Sequence, residues 1–245
     1  MIKNKNDFFK ICVKIGVSSS IRNSKFQFKQ LFKNIELKNK QILDVGGGSG
    51  YISFYCMLAG AKSGVCLEPG EEGVDIQKND SYKMLNENIN YDIEYLNEKI
   101  EDYKSNKKFD LIILHNSINH LVEGNCKDLH HDIQLKQKIL KTIEKISKLA
   151  NDNCCLLIVD NSGYHFFQNF GLEHNPLIPH VGFHDHESPE FWIKLIENYG
   201  FRAIKNDWIT PNPLRFFGKI IFNNYFASYF LGFPFRLIFQ LNDKK

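Results

Sequence analysis

From Gln41 onward, short apolar runs alternate with longer amphipathic stretches, which is the pattern of strands separated by helices in a βαβ sheet. The pattern predicts strands at 41–45, 64–68, 91–96, 109–115, 154–160, 203–209 and 235–240. Several read as unbroken aliphatic runs, such as Leu111-Ile112-Ile113-Leu114, as expected of strands covered on both faces. Helical spacing fills the intervals at 50–59, 72–88, 131–150 and 189–199. The third interval is clearest, with Leu135, Ile139, Ile143, Ile146 and Leu149 at i+3/i+4 steps and lysines between them. Residues 1–40 read as a helical extension whose candidate apolar contacts are Phe26, Phe28, Leu31, Phe32 and Ile35. Residues 161–188 show few regular signals, which in a compact fold marks either a functional segment or a mis-assigned one.

Composition changes this picture little. Hydrophobic residues make up 43% and charged residues 24% of the 245, which excludes a disordered tail, a collagen-like repeat and a polytopic membrane protein. A net charge of +3 is too small to indicate nucleic-acid binding. The six cysteines form no CxxC pair and sit largely in apolar runs, so they read as buried reduced thiols. No apolar segment follows the charged first residues, so no cleavable signal is expected and the expected compartment is the cytoplasm.

The chemistry concentrates in Ile42-Leu43-Asp44-Val45-Gly46-Gly47-Gly48-Ser49-Gly50, where an apolar strand enters a glycine cluster that opens a helix. Glycines permit a tight turn and close approach of backbone to ligand, and the helix start presents unpaired N–H groups. A dinucleotide fingerprint needs a glycine at position 51, which is Tyr. What stands instead is Asp44-x-Gly46-x-Gly48-x-Gly50.

This pattern resembles motif I of the class I S-adenosylmethionine-dependent methyltransferases. The resemblance continues in order through Val65-Cys66-Leu67-Glu68, Ile100-Glu101-Asp102, the strand Phe109–Leu114 and Leu156-Leu157-Ile158-Val159-Asp160. It implies an α/β fold, a Rossmann-like three-layer sandwich with a seven-stranded, mostly parallel sheet and an antiparallel last strand. It further implies S-adenosylmethionine as cofactor, held by Asp44, Gly46, Gly48, Gly50, Glu68, Ile100 and Glu101, with Glu68 on the ribose hydroxyls and residues 100–101 on the adenine. A carboxylate suits two vicinal hydroxyls because each of its oxygens accepts hydrogen bonds. One departure is that the acid often preceding the adenine contact is Lys99, flanked by Glu98 and Glu101.

Methyl transfer to a hydroxyl requires alignment and a proton acceptor, and histidine suits that role near neutral pH. The candidates are His184 and His186, in the irregular segment after the fifth strand, and His115 at the end of the fourth. His120 resembles a histidine common after the family's fourth strand, where it orients a turn. An H-x-H pair can share a face on an extended segment, but His180, His184 and His186 lack a further ligand at suitable spacing, and no metal is expected.

The segment 213–231 is rich in Phe and Tyr, with Arg215, Lys219 and Asn223 forming a polar stripe if it is helical. Its uncharged run is shorter than the roughly 20 residues of a bilayer span. It reads as a helix capping the acceptor site, with two alternatives: an interfacial helix making peripheral membrane contact, or a helix buried on the domain. The expectation is therefore one methyltransferase domain over 1–245, with an extension at 1–40, a cofactor-binding core at 41–160 and an acceptor-side segment at 161–245. The expected reaction is O-methylation of a small-molecule, glycan-linked or lipid-linked acceptor, with no nucleic-acid partner. The rivals are a nicotinamide-dependent oxidoreductase, against which the missing third glycine argues, and a non-catalytic cofactor- or partner-binding protein.

Overall fold

The computed structural model describes the chain except for residues 1–3, 71–74, 90, 92, 123, 177, 183, 211–213, 215–217, 221–222, 233 and 243–245. Its strands are β1 (Gln41–Val45), β2 (Ser63–Leu67), β3 (Ile93–Leu96), β4 (Phe109–His115), β5 (Ala150–Asp160), β6 (His174–Asn175), β7 (Ile178–Gly182), β8 (Phe201–Trp208) and β9 (Phe235–Leu241). Seven of them form one sheet in the order β3-β2-β1-β4-β5-β9-β8, and β6 pairs with β7 in a separate ribbon. The chain divides into two compact units, residues 1–113 and 114–245.

In the first unit, β1 pairs in parallel with both β2 and β4, and β2 with β3. The apolar runs earn their strand geometry by burial, since Ile42, Leu43, Cys66, Leu67, Ile112 and Ile113 are wholly covered. The predicted extension is two helices, α1 (Lys5–Lys14) and α2 (Ile21–Leu31), each started by a side chain that accepts from its first-turn amides, Asn4 and Ser20. Phe28, Leu31 and Phe32 are buried as expected, and Phe8 and Phe9 join them. Their rings gather on Tyr55 of α3 (Tyr51–Leu58), with Phe28 stacked at 4.0 Å. Helix α4 (Asp75–Ile89) follows β2.

In the second unit, α5 (Ile133–Leu149) buries the predicted stripe Ile139, Ile143, Ile146 and Leu149, and Asp132 caps its start. Helix α6 (Pro189–Glu197) opens with Ser188 as cap and proline in its first turn. Strand β9 runs antiparallel to both β5 and β8, which gives the expected antiparallel last strand. Asp207 and Arg236 are direct partners across β8 and β9 and form an ion pair at 2.6 Å.

Where a single helix over 213–231 is expected, the described residues 218–220 and 225–231 are helical and 223–224 are not. The helix α7 (Tyr225–Leu231) begins only after Asn224, whose extended backbone and side-chain bond to the Ala227 amide start a new helix there. Its rings are not buried: Tyr225, Phe226 and Phe230 are all exposed. Seven residues make two turns, too little surface to cover a wide aromatic face. Arg215 lies outside the described residues. No helix among the described residues is long and apolar enough to cross a membrane.

Candidate active site

The glycine loop leaves β1 with Gly46, Gly48 and Gly50 at φ of 68°, 58° and 71°, the left-handed region that side chains disfavour. Gly47 is required for space instead. A Cβ there would collide with Cys66 Sγ and stand 2.8 Å from Asp44 Oδ2. A Cβ on Gly48 would meet nothing within 4 Å, so that face of the loop is open to a ligand.

The loop is tied to the neighbouring strands at every turn. The Gly46 and Gly47 amides donate to the Leu67 carbonyl at 2.7 and 3.1 Å. The Gly48 amide donates to Glu68 Oε2 at 2.7 Å, and the Tyr95 hydroxyl donates to the Gly48 carbonyl at 2.9 Å. Tyr95 in turn stacks on Tyr82 at 4.1 Å. Beneath the loop, Asp44 is fully buried; Ser53 Oγ donates to its Oδ2 at 2.8 Å, while its Oδ1 has no hydrogen-bond partner. Burial, reinforced by the nearby Glu68 carboxylate, pushes the Asp44 carboxyl up to about 7.

Ile100 and Glu101 sit in a turn closed by the Asp102 and Tyr103 amides on the Lys99 carbonyl. The Ile100 side chain is buried, so it presents backbone rather than side chain to a ligand. Glu101 is half-buried. Tyr103, beside them, buries a hydroxyl with no hydrogen-bond partner. An orphaned buried acceptor on Asp44, an open backbone at Gly48 and a carboxylate on Glu68 suit a ligand bearing a cationic amino acid and a ribose, as S-adenosylmethionine does.

In the second unit, the three candidate histidines have different surroundings. His184 is exposed, and its carbonyl accepts from the Lys127 amide. His115 is half-buried at the end of β4, and burial pushes its ring down to about 4. His186 is buried. Its Nδ1 lies 2.7 Å from the Gly182 carbonyl, and since a carbonyl only accepts, Nδ1 carries the proton. Its Nε2 stands 3.8 Å from Oδ1 of Asp160, the last residue of β5. Burial raises the Asp160 carboxyl, and His186 and the amides of Asn161 and Asn119 oppose that rise. His120 is exposed, whereas its neighbour Asn119 is buried.

Asn119 is a residue the sequence reading passed over. Its Oδ1 accepts from the Glu187 amide at 3.1 Å and Trp192 Nε1 at 3.2 Å, while its own amide donates to Asp160 at 3.4 Å. Glu187, also missed, is 3% exposed and takes His130 Nε2 at 2.9 Å and Lys127 Nζ at 3.7 Å on one oxygen. Asp160 could have been singled out, because an acid closing the fully buried run Leu156–Val159 must have a partner. Of the His180 side chain nothing is described.

Residues 36–181, more than half of the chain, match the methyltransferase domain family. Among solved structures, an S-adenosylmethionine-dependent methyltransferase from Clostridium acetobutylicum is similar with a TM-score of 0.59 and 12% identity, over 97% of this chain and 98% of that one. The N-methyltransferase NodS from Bradyrhizobium japonicum, in complex with S-adenosyl-L-homocysteine, gives 0.54 and 10%, over 91% and 86%. At these identities the likeness is one of fold. The histone-arginine methyltransferase CARMER of Drosophila ananassae is 31% identical over 93 residues, 38% of this chain but only 17% of that protein's length. With the glycine loop, the strand order and the family match in agreement, the chain belongs to the methyltransferase domain family, as a class I member whose methyl donor is S-adenosylmethionine.

Proposed function

We propose that this protein methylates a hydroxyl oxygen on a small-molecule, glycan-linked or lipid-linked acceptor, with His186 taking the hydroxyl proton. When bound, S-adenosylmethionine supplies a methyl group on a positively charged sulfur. Asp44, the Gly46–Gly50 loop, Glu68 and the 100–101 turn would hold it, and Asp44 in its ionised form would offset the ligand's positive charge.

The observation that carries the reading is the His186–Asp160 pair. The Gly182 carbonyl accepts from Nδ1, so Nε2, 3.8 Å from the buried Asp160 carboxylate, is the ring nitrogen left to take a proton. A hydroxyl sheds its proton as the oxygen is alkylated, so a positioned base lowers that barrier; a neutral amine attacks through its lone pair and loses its proton afterwards. When Nε2 takes the proton, the imidazolium formed faces Asp160 in a site where opposite charges are poorly screened. His184 is solvated, and His115 holds a proton weakly.

The test is isotope-labelled methyl donor offered with a catechol, a sugar and a phospholipid, beside an arginine-rich histone-tail peptide, with products resolved by mass spectrometry. Label on a hydroxyl oxygen is expected. Label on the guanidinium nitrogens of the peptide would overturn the reading in favour of the activity named for the arginine methyltransferases that match 93 residues.

A further inference from the structure

The segment carrying His186 is held on both sides of that residue by one short turn, Cys126–His130. Before it, the His184 carbonyl accepts from the Lys127 amide at 3.3 Å. After it, Glu187 Oε1 accepts from His130 Nε2 at 2.9 Å and faces Lys127 Nζ at 3.7 Å, while Oε2 accepts from the Ser188 amide at 3.1 Å. The His130 ring also lies 5.2 Å from that of Phe191 in α6. Asn119 completes the tie, because it bonds the Glu187 amide through Oδ1 and Asp160 through its own amide. His186 thus stands between two anchored residues, and its ring adds the Nδ1 bond to the Gly182 carbonyl at 2.7 Å.

A carboxylate at the start of a helix gains from the helix dipole without leaving water, and Ser188 already caps α6. Glu187 is buried instead, which is costly for a carboxylate unless donors and cations compensate it. The compensation comes from a different part of the chain, His130 being 57 residues earlier. A buried pair of this kind contributes little net stability; what it supplies is one fixed way for its two segments to meet. The residue next to that junction is His186. A general base acts over a hydrogen-bond distance, and a displacement of about 1 Å costs about 100-fold in rate, so the anchoring of its neighbour matters.

We propose that Glu187, held by Lys127 and His130, is a positioning residue that fixes where the His186 ring stands. Its bearing on catalysis rests on the reading of His186 as base, yet the first readout requires neither donor nor acceptor. In the full chain with isotope-labelled histidine, nitrogen NMR through the carbon-bound ring protons reports which ring nitrogens carry hydrogen. The His186 signals are assigned by their loss in His186→Asn. The variants are Glu187→Gln, which keeps the shape and loses the charge, and His130→Gln, whose side chain is about half exposed and is replaced without opening the core. Wild type is expected to show hydrogen on Nδ1 of His186. At unchanged melting temperature, both variants should move that signal toward a mixture of ring forms. On the acceptor that takes label in the test above, both should lower kcat by about 10–100-fold with S-adenosyl-L-homocysteine affinity unchanged. His186 signals that match wild type in both variants overturn the proposal, and a fall in melting temperature beside unchanged signals does so by leaving Glu187 a role in stability alone. So does wild-type turnover in both variants beside a slow His186→Asn. Wild-type turnover of His186→Asn itself would remove the base reading, while a moved signal in the two variants would still support Glu187 as what fixes the ring.

Discussion

The Glu68 carboxylate receives the Gly48 amide at 2.7 Å, so the acid expected to meet the cofactor's ribose also sets the shape of the loop beside it. Glu68→Ala therefore removes two things at once. The loss of a charged hydrogen bond to the ribose is expected to weaken S-adenosylmethionine binding by about 1.5–3 kcal/mol in calorimetry. Unlike an ordinary solvated acid at a strand end, Glu68 is buried, and leaving the Gly48 amide without its acceptor should also lower stability by about 1–3 kcal/mol. Glu68→Gln, which keeps an acceptor oxygen, should recover most of the stability and less of the affinity. Unchanged binding in both variants would remove Glu68 from the cofactor site.

Asp44 makes stability depend on pH with a defined sign. Its carboxyl is raised from 3.8 to about 7, so the folded chain binds the proton more tightly than the unfolded chain does. Stability from this group is then greatest below pH 4 and is lost as pH climbs to about 7. Asp44→Asn should flatten the stability curve over that window in urea denaturation, and gain most on wild type above it. A parallel pair of curves would show that Asp44 does not titrate there.

The two central glycines of the loop should fail differently. Gly47→Ala drives a methyl group into Cys66 and Asp44, so it should cost stability by about 2–4 kcal/mol, as overpacking does at its upper range. Gly48→Ala meets no atom and pays only for its left-handed backbone, about 1–2 kcal/mol. Its added methyl instead intrudes on the open face, and the larger loss should appear in cofactor affinity. Equal melting temperatures for the two variants would refute the distinction.

Among the histidines, only His186 is expected to matter strongly for turnover. His186→Asn should lower kcat by roughly 10²–10⁴ with cofactor affinity retained. His184→Asn and His115→Asn should stay within a few-fold of wild type. Full activity of His186→Asn would assign proton removal elsewhere.

Asn119→Ala leaves the Glu187 amide and Trp192 Nε1 buried without an acceptor. A loss of about 2–4 kcal/mol is expected, because each stranded donor costs about 1–3 kcal/mol. Asn119→Asp keeps the accepting oxygen and should restore part of it. Chemical denaturation followed by circular dichroism reads this directly.

The strands and long helices were legible because their burial is written in apolar spacing, Leu111–Leu114 and Ile139–Leu149 most clearly. The loop was legible because positive φ leaves glycine as its mark at 46, 48 and 50. Asn119 was not, because a buried amide that satisfies three segments distant in sequence carries no local signature; the neighbouring His120 drew attention and proved to be exposed. The short ribbon of β6 and β7 and the start of α7 were missed for a related reason. Both are fixed by turns and single caps, such as Asn224, and not by any hydrophobic period.

The place of β9 has a consequence for synthesis. Among the described strands, β8 has β9 as its one neighbour in the sheet, and β5 meets its antiparallel partner in residues 235–240. By contrast, β1, β2 and β3 all lie within residues 41–96 and pair in succession. As the chain leaves the ribosome, the first unit can order early, while β5 and β8 wait with unpaired edges until residues 235–241 emerge. Chains stalled just short of residue 235 should therefore be the aggregation-prone species, and the ones that chaperones hold longest.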